Sequence, residues 1–190
     1  MNVPKQTGQI FELLSKGQFI CSNSTDEQIR KLYEIIDDKD NYESLYDYFN
    51  AINFNLEKGS EYYYFSRPEA KAELERKIEI AFRWIDIIDF LKCFDNSFSS
   101  GYRFTPYEIM VKIGVDAVLK SKLDGLKRWA KEEVHAEIVN KLIDVLCKDG
   151  FAELENEILK SYKVLASFKY LEELINRINI PAEIKNEISK

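Results

Sequence analysis

The chain has 190 residues, 45% hydrophobic and 32% charged, with 7 glycines, 4 prolines and a net charge of -6. That suffices for one sizeable domain or two of roughly 80 residues, each with its own core, and it argues against a cation-coated surface for non-specific nucleic-acid binding. No membrane span of about 18 apolar residues is present, since Ile78 to Phe90 is broken by Glu79, Arg83, Asp86 and Asp89. The polar opening Met1-Asn2-Val3-Pro4-Lys5-Gln6 lacks the apolar core of a signal peptide, so a cytoplasmic protein is expected. Cys21, Cys93 and Cys147 are odd in number and far apart, which points to buried thiols rather than a disulfide framework or a metal pair.

Ile10, Phe11, Leu13 and Leu14 stand at helical spacing before the stop Lys16-Gly17, so a short first helix is expected. Gln18 to Cys21 reads as an apolar connector. Ser24 with Glu27 fits a capping box ahead of a helix whose face is Ile29, Leu32, Tyr33, Ile35 and Ile36. A third helix follows over Asn41 to Ala51, with Tyr42, Leu45, Tyr46 and Phe49 at spacings of three and four. Ile52, Phe54 and Leu56 then alternate with polar residues, Lys58-Gly59-Ser60 turns the chain, and Glu61 to Ser66 returns as a second strand. Three helices and a hairpin are the order of a winged helix.

Pro68 suits the first turn of a long helix with the stripe Ala70, Leu74, Ile78, Ala81, Phe82, Ile85 and Ile88, a spine between two modules. Asp95 to Phe104 reads as a boundary loop. Thr105-Pro106-Tyr107-Glu108 opens another helix, with Ile109, Ile113 and Val118 or Leu119 on its buried side. Leu123, Leu126 and Trp129 mark a further short helix, and Glu133 to Lys148 a longer one ended by Asp149-Gly150. Phe151 to Leu154, a turn at Glu155 to Glu157, and Ser161 to Leu165 make a second hairpin; a last helix runs from Ser167 past Ile178 to Pro181. The fold class expected is mainly α with small β-hairpins, an α+β arrangement of tandem winged-helix modules joined by a long helix. Its parts are residues 1–67, a connecting helix and loop over 68–104, and a second module over 105–190.

Chemistry for catalysis is sparse. His135 is the single histidine, which excludes a site needing two imidazoles and leaves only a general-base role against a plain surface position. No phosphate-cradling GxxxxGK[ST] or GxGxxG and no GxSxG elbow occurs. Asp86 and Asp89 lie three apart, but Arg83 and Lys92 at the same spacing favour a solvated charge network over a cation site. No cofactor and no metal are expected.

Two features suit binding. Tyr62, Tyr63, Tyr64 and Phe65 alternate in a strand, so half should be core and half an outer face able to meet a partner. Cations gather as Lys112, Lys120, Lys122, Lys127, Arg128 and Lys131, a candidate contact to DNA phosphates. The third helix, with Tyr42, Glu43, Tyr46, Asp47 and Tyr48 and no cation, would repel DNA from its groove-reading position.

Residues across almost the whole chain resemble the MukE/MksE type of bacterial condensin subunit, whose relatives also serve in Wadjet-type plasmid defence. They are Phe11-Glu12-Leu13-Leu14-Ser15-Lys16-Gly17-Gln18-Phe19-Ile20, Asp47-Tyr48-Phe49 leading to Leu56, Tyr62-Tyr63-Tyr64-Phe65, Lys148-Asp149-Gly150-Phe151 and Tyr162-Lys163-Val164-Leu165. The resemblance implies a homodimeric, non-catalytic adaptor that binds a kleisin-type chain and, through it, an SMC-like ATPase, with DNA held by the assembly and the protein associated with the nucleoid. The absence of a Walker motif agrees with the ATPase being another chain. The rivals are a winged-helix transcription regulator, disfavoured by the acidic third helix, and an enzyme with an unrecognised carboxylate site.

Overall fold

A computed structural model describes residues 3–67 and 71–177. Pro68 and Pro181, expected to open the long helix and to end the last one, lie outside the described residues, as do the side chains of Leu74 and Ile78. The protein is mainly helical with two small antiparallel sheets.

The first unit runs α1 (Thr7–Ser15), β1 (Ile20–Cys21), α2 (Glu27–Asp37), α3 (Lys39–Asn50), β2 (Asn55–Lys58) and β3 (Tyr62–Ser66). The expected connector at Gln18 to Cys21 is thus partly a strand: Ile20 and Cys21 pair with Tyr63 and Tyr62, giving the sheet order β1-β3-β2. Two paired residues leave too short an alternation to read from sequence. Ser24 does not cap α2. Asp26 does, its carboxylate accepting from the Gln28 amide at 2.7 Å, and Ser24 is buried. Only Asp38 separates α2 from α3; its extended backbone ends one helix, and its side chain caps the other by accepting from the Asn41 amide. The first strand of the hairpin begins at Asn55, with Ile52 in the preceding turn and 43% exposed.

The second unit draws on α4 (Lys71–Phe94), β4 (Arg103–Phe104), α5 (Pro106–Val115), α6 (Ala117–Gly125), α7 (Lys127–Ala130), α8 (His135–Lys148), β5 (Ala152–Asn156), β6 (Ser161–Val164) and α9 (Phe168–Arg177). Its sheet order, β4-β6-β5, repeats that of the first. The turn of its hairpin sits at residues 157–160 rather than 155–157, because Asn156 stays in β5 and its side chain accepts from the amides of Ile158 and Leu159.

Ile10, Leu14, Ile20, Leu32, Ile36, Leu45, Phe49, Leu56 and Tyr63 form one core. The larger one joins Ile109, Ile113, Leu119, Leu142 and Phe168 to Trp84, Ile87, Phe90 and Leu91 of α4. The second half of α4 therefore packs as the first helix of the second unit, standing before β4 as α1 stands before β1. Asp95 to Phe104 is not a slack boundary either: Phe98 is fully buried against Phe104 and Phe168, and the Asp95 carboxylate accepts from Ser97 and from the Tyr102 hydroxyl. Deleting such an aromatic costs about 3–5 kcal/mol. Leu119 is the buried member of its pair, and Val118 is 62% exposed.

Candidate functional site

The strand β3 explains how the two units meet. Its side chains alternate: Tyr63 and Phe65 face the first core, while Tyr62 and Tyr64 face the other way. There they meet Phe19, whose ring lies 5.7 Å from Tyr62, 5.9 Å from Tyr64, 5.5 Å from Phe151 and 5.6 Å from Tyr170. Of the outer face expected to await a partner, Tyr62 is covered within the chain and Tyr64 stays half-buried; Tyr62 and the inward-facing Tyr63 are 1% and 0% exposed. Burial pushes both phenols well above the usual tyrosine range, with the Asp37 carboxylate, accepting from the Tyr63 hydroxyl at 2.6 Å, adding to the effect on Tyr63.

Polar contacts fix the same junction. Asn23 accepts from the Ala166 amide at 2.8 Å, donates to the Val164 carbonyl at 3.2 Å, and its own carbonyl accepts from Lys163 at 2.6 Å. Ser24 donates to Glu153 at 3.0 Å and the Thr25 amide donates to the same carboxylate. Lys169 reaches Glu61 at 2.9 Å and Ser60 at 3.1 Å. Ser24, read from sequence as a helix cap, is therefore part of the joint between the units.

Beside this joint opens a cleft of about 350 Å³, lined by Phe19, Tyr64, Phe65, Trp84, Phe151 and Tyr170 with Gln18 and Leu174. Asp149 is its acid, and burial raises its carboxyl above the ordinary range against the opposing pull of Arg83 and Lys148. An aromatic wall with few polar groups suits an apolar segment of another polypeptide. It does not supply paired catalytic groups.

The six cations are divided by the fold. Lys112 donates to the Phe94 carbonyl and lies over the Phe94 ring, Lys122 pairs with Asp89, and Lys127 pairs with Asp124 at 3.0 Å. Lys120, Arg128 and Lys131 are exposed and make no ion pair among the described residues. Asp89 is thus neutralised from α6 rather than by its expected helix neighbours; Arg83 stacks on Trp129 and Lys92 pairs with Glu172. His135 is not a bare surface residue: its Nε2 lies 2.8 Å from Asp124, which this contact, with Lys127, holds below the usual carboxylate range. Burial lifts Cys21 and Cys147 to about 11, so both stay thiols at neutral pH. Among the described residues no group of three or more His, Cys, Asp or Glu could hold a metal ion, and no helix is long and apolar enough to cross a membrane.

The fold and its junction span the same residues as a family match: the model for the condensin complex protein MksE fits residues 5–175. The chain belongs to the MksE family. It is accordingly a condensin-type subunit, of a family that is a non-catalytic component of SMC-type complexes. Among curated proteins no sequence matches it. In this MksE-family chain the segments that carried the resemblance are mostly structural: Phe19, Tyr62 and Phe151 build the joint, and Leu14, Ile20 and Phe49 the first core. No motif reports the joint itself, since its partners lie more than about 100 residues apart in sequence and a β-strand pattern shows which side chains share a face without showing what covers it.

Proposed function

We propose that the chain is a non-enzymatic adaptor: two winged-helix modules that hold a segment of a kleisin-type chain, and through it stand beside the heads of an SMC-like ATPase. Residues 1–67 form the first module; 105–190 form the second, which borrows its first helix from the 68–104 connector. As in the family it resembles, the adaptor works as a homodimer at the nucleoid, in chromosome organisation or in plasmid defence. The observation that carries this reading is the aromatic cleft beside a junction held by both stacking and hydrogen bonds. A rigid joint presents the cleft in one shape, so a captured segment need not order it. Co-expression with a kleisin-type chain of a condensin complex tests the reading. The intact chain retains the kleisin, and Leu174→Glu, which charges the cleft wall, lowers retention at least tenfold while helical content is kept. Equal retention by both refutes the cleft as the docking place, and no retention by either refutes the adaptor role.

Direct DNA contact is a second reading, favoured by Lys120, Arg128 and Lys131, which no acid neutralises among the described residues. Such contacts position phosphates without reading bases. Reversing all three charges should weaken duplex binding about tenfold or more and flatten its salt dependence by up to three phosphates. A transcription regulator is less well supported: α3, in the groove-reading position, exposes Glu43, Tyr46, Asp47 and Asn50.

A further inference from the structure

Asp149 stands in the aromatic cleft where the fold itself has no use for an acid. It is the C-cap of α8, and the carbonyl ends of a helix make a carboxylate unwelcome there. The stop is made by the next residue, Gly150, whose φ of +76° is the left-handed turn that ends helices. Asp149 is also half-buried, so water solvates its charge only in part.

The cations nearest to it are engaged elsewhere. Arg83, on α4, lies over the Trp129 ring, its guanidinium carbon 5.9 Å from the centroid, and its Nε is buried without a hydrogen-bond partner among the described residues. Lys148 is exposed. Both attract the Asp149 carboxylate from a distance, yet neither forms an ion pair or hydrogen bond with it among the described residues. The half-buried rings of Phe19, Tyr64 and Tyr170 share the cleft with this carboxylate, and aromatic rings offer their negative faces to a cation. A carboxylate left without an ion pair among aromatic rings is suited to an ammonium or guanidinium group.

We infer that the cleft takes an apolar segment carrying one basic side chain, a lysine or arginine whose charge pairs with Asp149 beside the aromatic wall. The inference rests on the kleisin docking proposed above and names the chemistry of the segment that docks. Apolar side chains fill the wall, and the cation fixes the register of the segment along it. A wholly apolar segment would bury Asp149 without compensation, at a desolvation cost that weakens binding. An acidic one would be repelled. Asp149 thus works as a selectivity element, favouring one class of segment by penalising the others.

Retention of a co-expressed kleisin-type chain by the full chain tests it, with Leu174→Glu as the control for the cleft itself. Asp149→Asn keeps the shape and removes the charge. It should lower retention at least about tenfold, while its thermal midpoint stays level or rises because a carboxylate has left a helix C-terminus. Asp149→Lys should abolish retention, and changing one lysine or arginine of the kleisin segment to glutamate should restore it. Asp149→Asn retaining the kleisin as the parent chain does, with Leu174→Glu still defective, overturns the cation and leaves the docking place standing. Equal retention by the parent, Asp149→Asn and Leu174→Glu overturns both. A fall in the midpoint of Asp149→Asn together with lost retention, and no kleisin change that rescues Asp149→Lys, makes the residue structural and also overturns the inference.

Discussion

The two units share an order of elements and a sheet order, yet they treat their hairpins in opposite ways. In the first, β3 is the central strand and both its faces are covered, one by its own helices and one by the second unit. Even its turn is packed: a Cβ on Gly59 would overlap the Tyr62 ring. In the second, the turn after β5 stands clear, with Ile158 93% and Leu159 68% exposed and the loop held by Asn156. The same topology thus yields a hairpin consumed as internal joint and a hairpin whose turn is left free. What decides between them is the surface that later parts of the chain bring up, here Phe151, Leu165 and Tyr170.

If the first hairpin is a joint, breaking it should uncouple the units. The largest effect is expected from Phe19→Ala, which removes the ring shared by four aromatic partners; a loss of about 3 kcal/mol and the splitting of one thermal transition into two should appear in calorimetry. A single unchanged transition would mean that the units do not depend on each other through this contact. Asn23→Ala should cost about 2 kcal/mol, because the Ala166 amide and Val164 carbonyl lose a side-chain partner where water is scarce; chemical denaturation measures it. Asp37→Asn should cost about 1 kcal/mol and act on the first unit alone. Lys58 at 2.7 Å and the Tyr63 hydroxyl hold Asp37 below its ordinary range. A carboxylate depressed on folding stabilises fully at neutral pH and loses that contribution as pH falls through and below the ordinary carboxylate range. The acid limb of the stability profile should therefore flatten in Asp37→Asn, and an unaltered limb would show that the pair is screened out. Smallest of all, Ile158→Ser in the exposed turn of the second hairpin should change stability by no more than about 0.5 kcal/mol.

The periodic elements were legible in the sequence because local physics sets them. Three- and four-residue spacing marked α2, α3 and α8, and Thr105 with Glu108 marked the start of α5 by a cap that operates there. The alternation of Tyr62 to Phe65 correctly divided inner from outer faces. What could not be read is whatever depends on distant neighbours. Two-residue β1 and β4 have no period of their own and exist only because β3 and β6 lie beside them. Ser24 carries cap chemistry, but Asp26 is nearer the helix and Glu153 competes for the hydroxyl. The cations from Lys112 to Lys131 look alike in sequence; Asp89, Asp124 and the Phe94 carbonyl decide which three remain open. Val118 and Leu119 were equivalent candidates until α6 turned at Asp116 and selected Leu119.

The placement of Phe19 also bears on synthesis. The ribosome completes β3 long before Phe151 and Tyr170 emerge, and at usual elongation rates the interval is on the order of ten seconds. Throughout it the nascent first unit displays the outer side of Tyr62 and Tyr64 to solvent, a ready target for chaperones that bind apolar surface and for premature pairing with neighbouring nascent chains. Slowing translation within α4 should lengthen that vulnerable period, so yield of intact protein becomes a matter of tempo as well as of final stability.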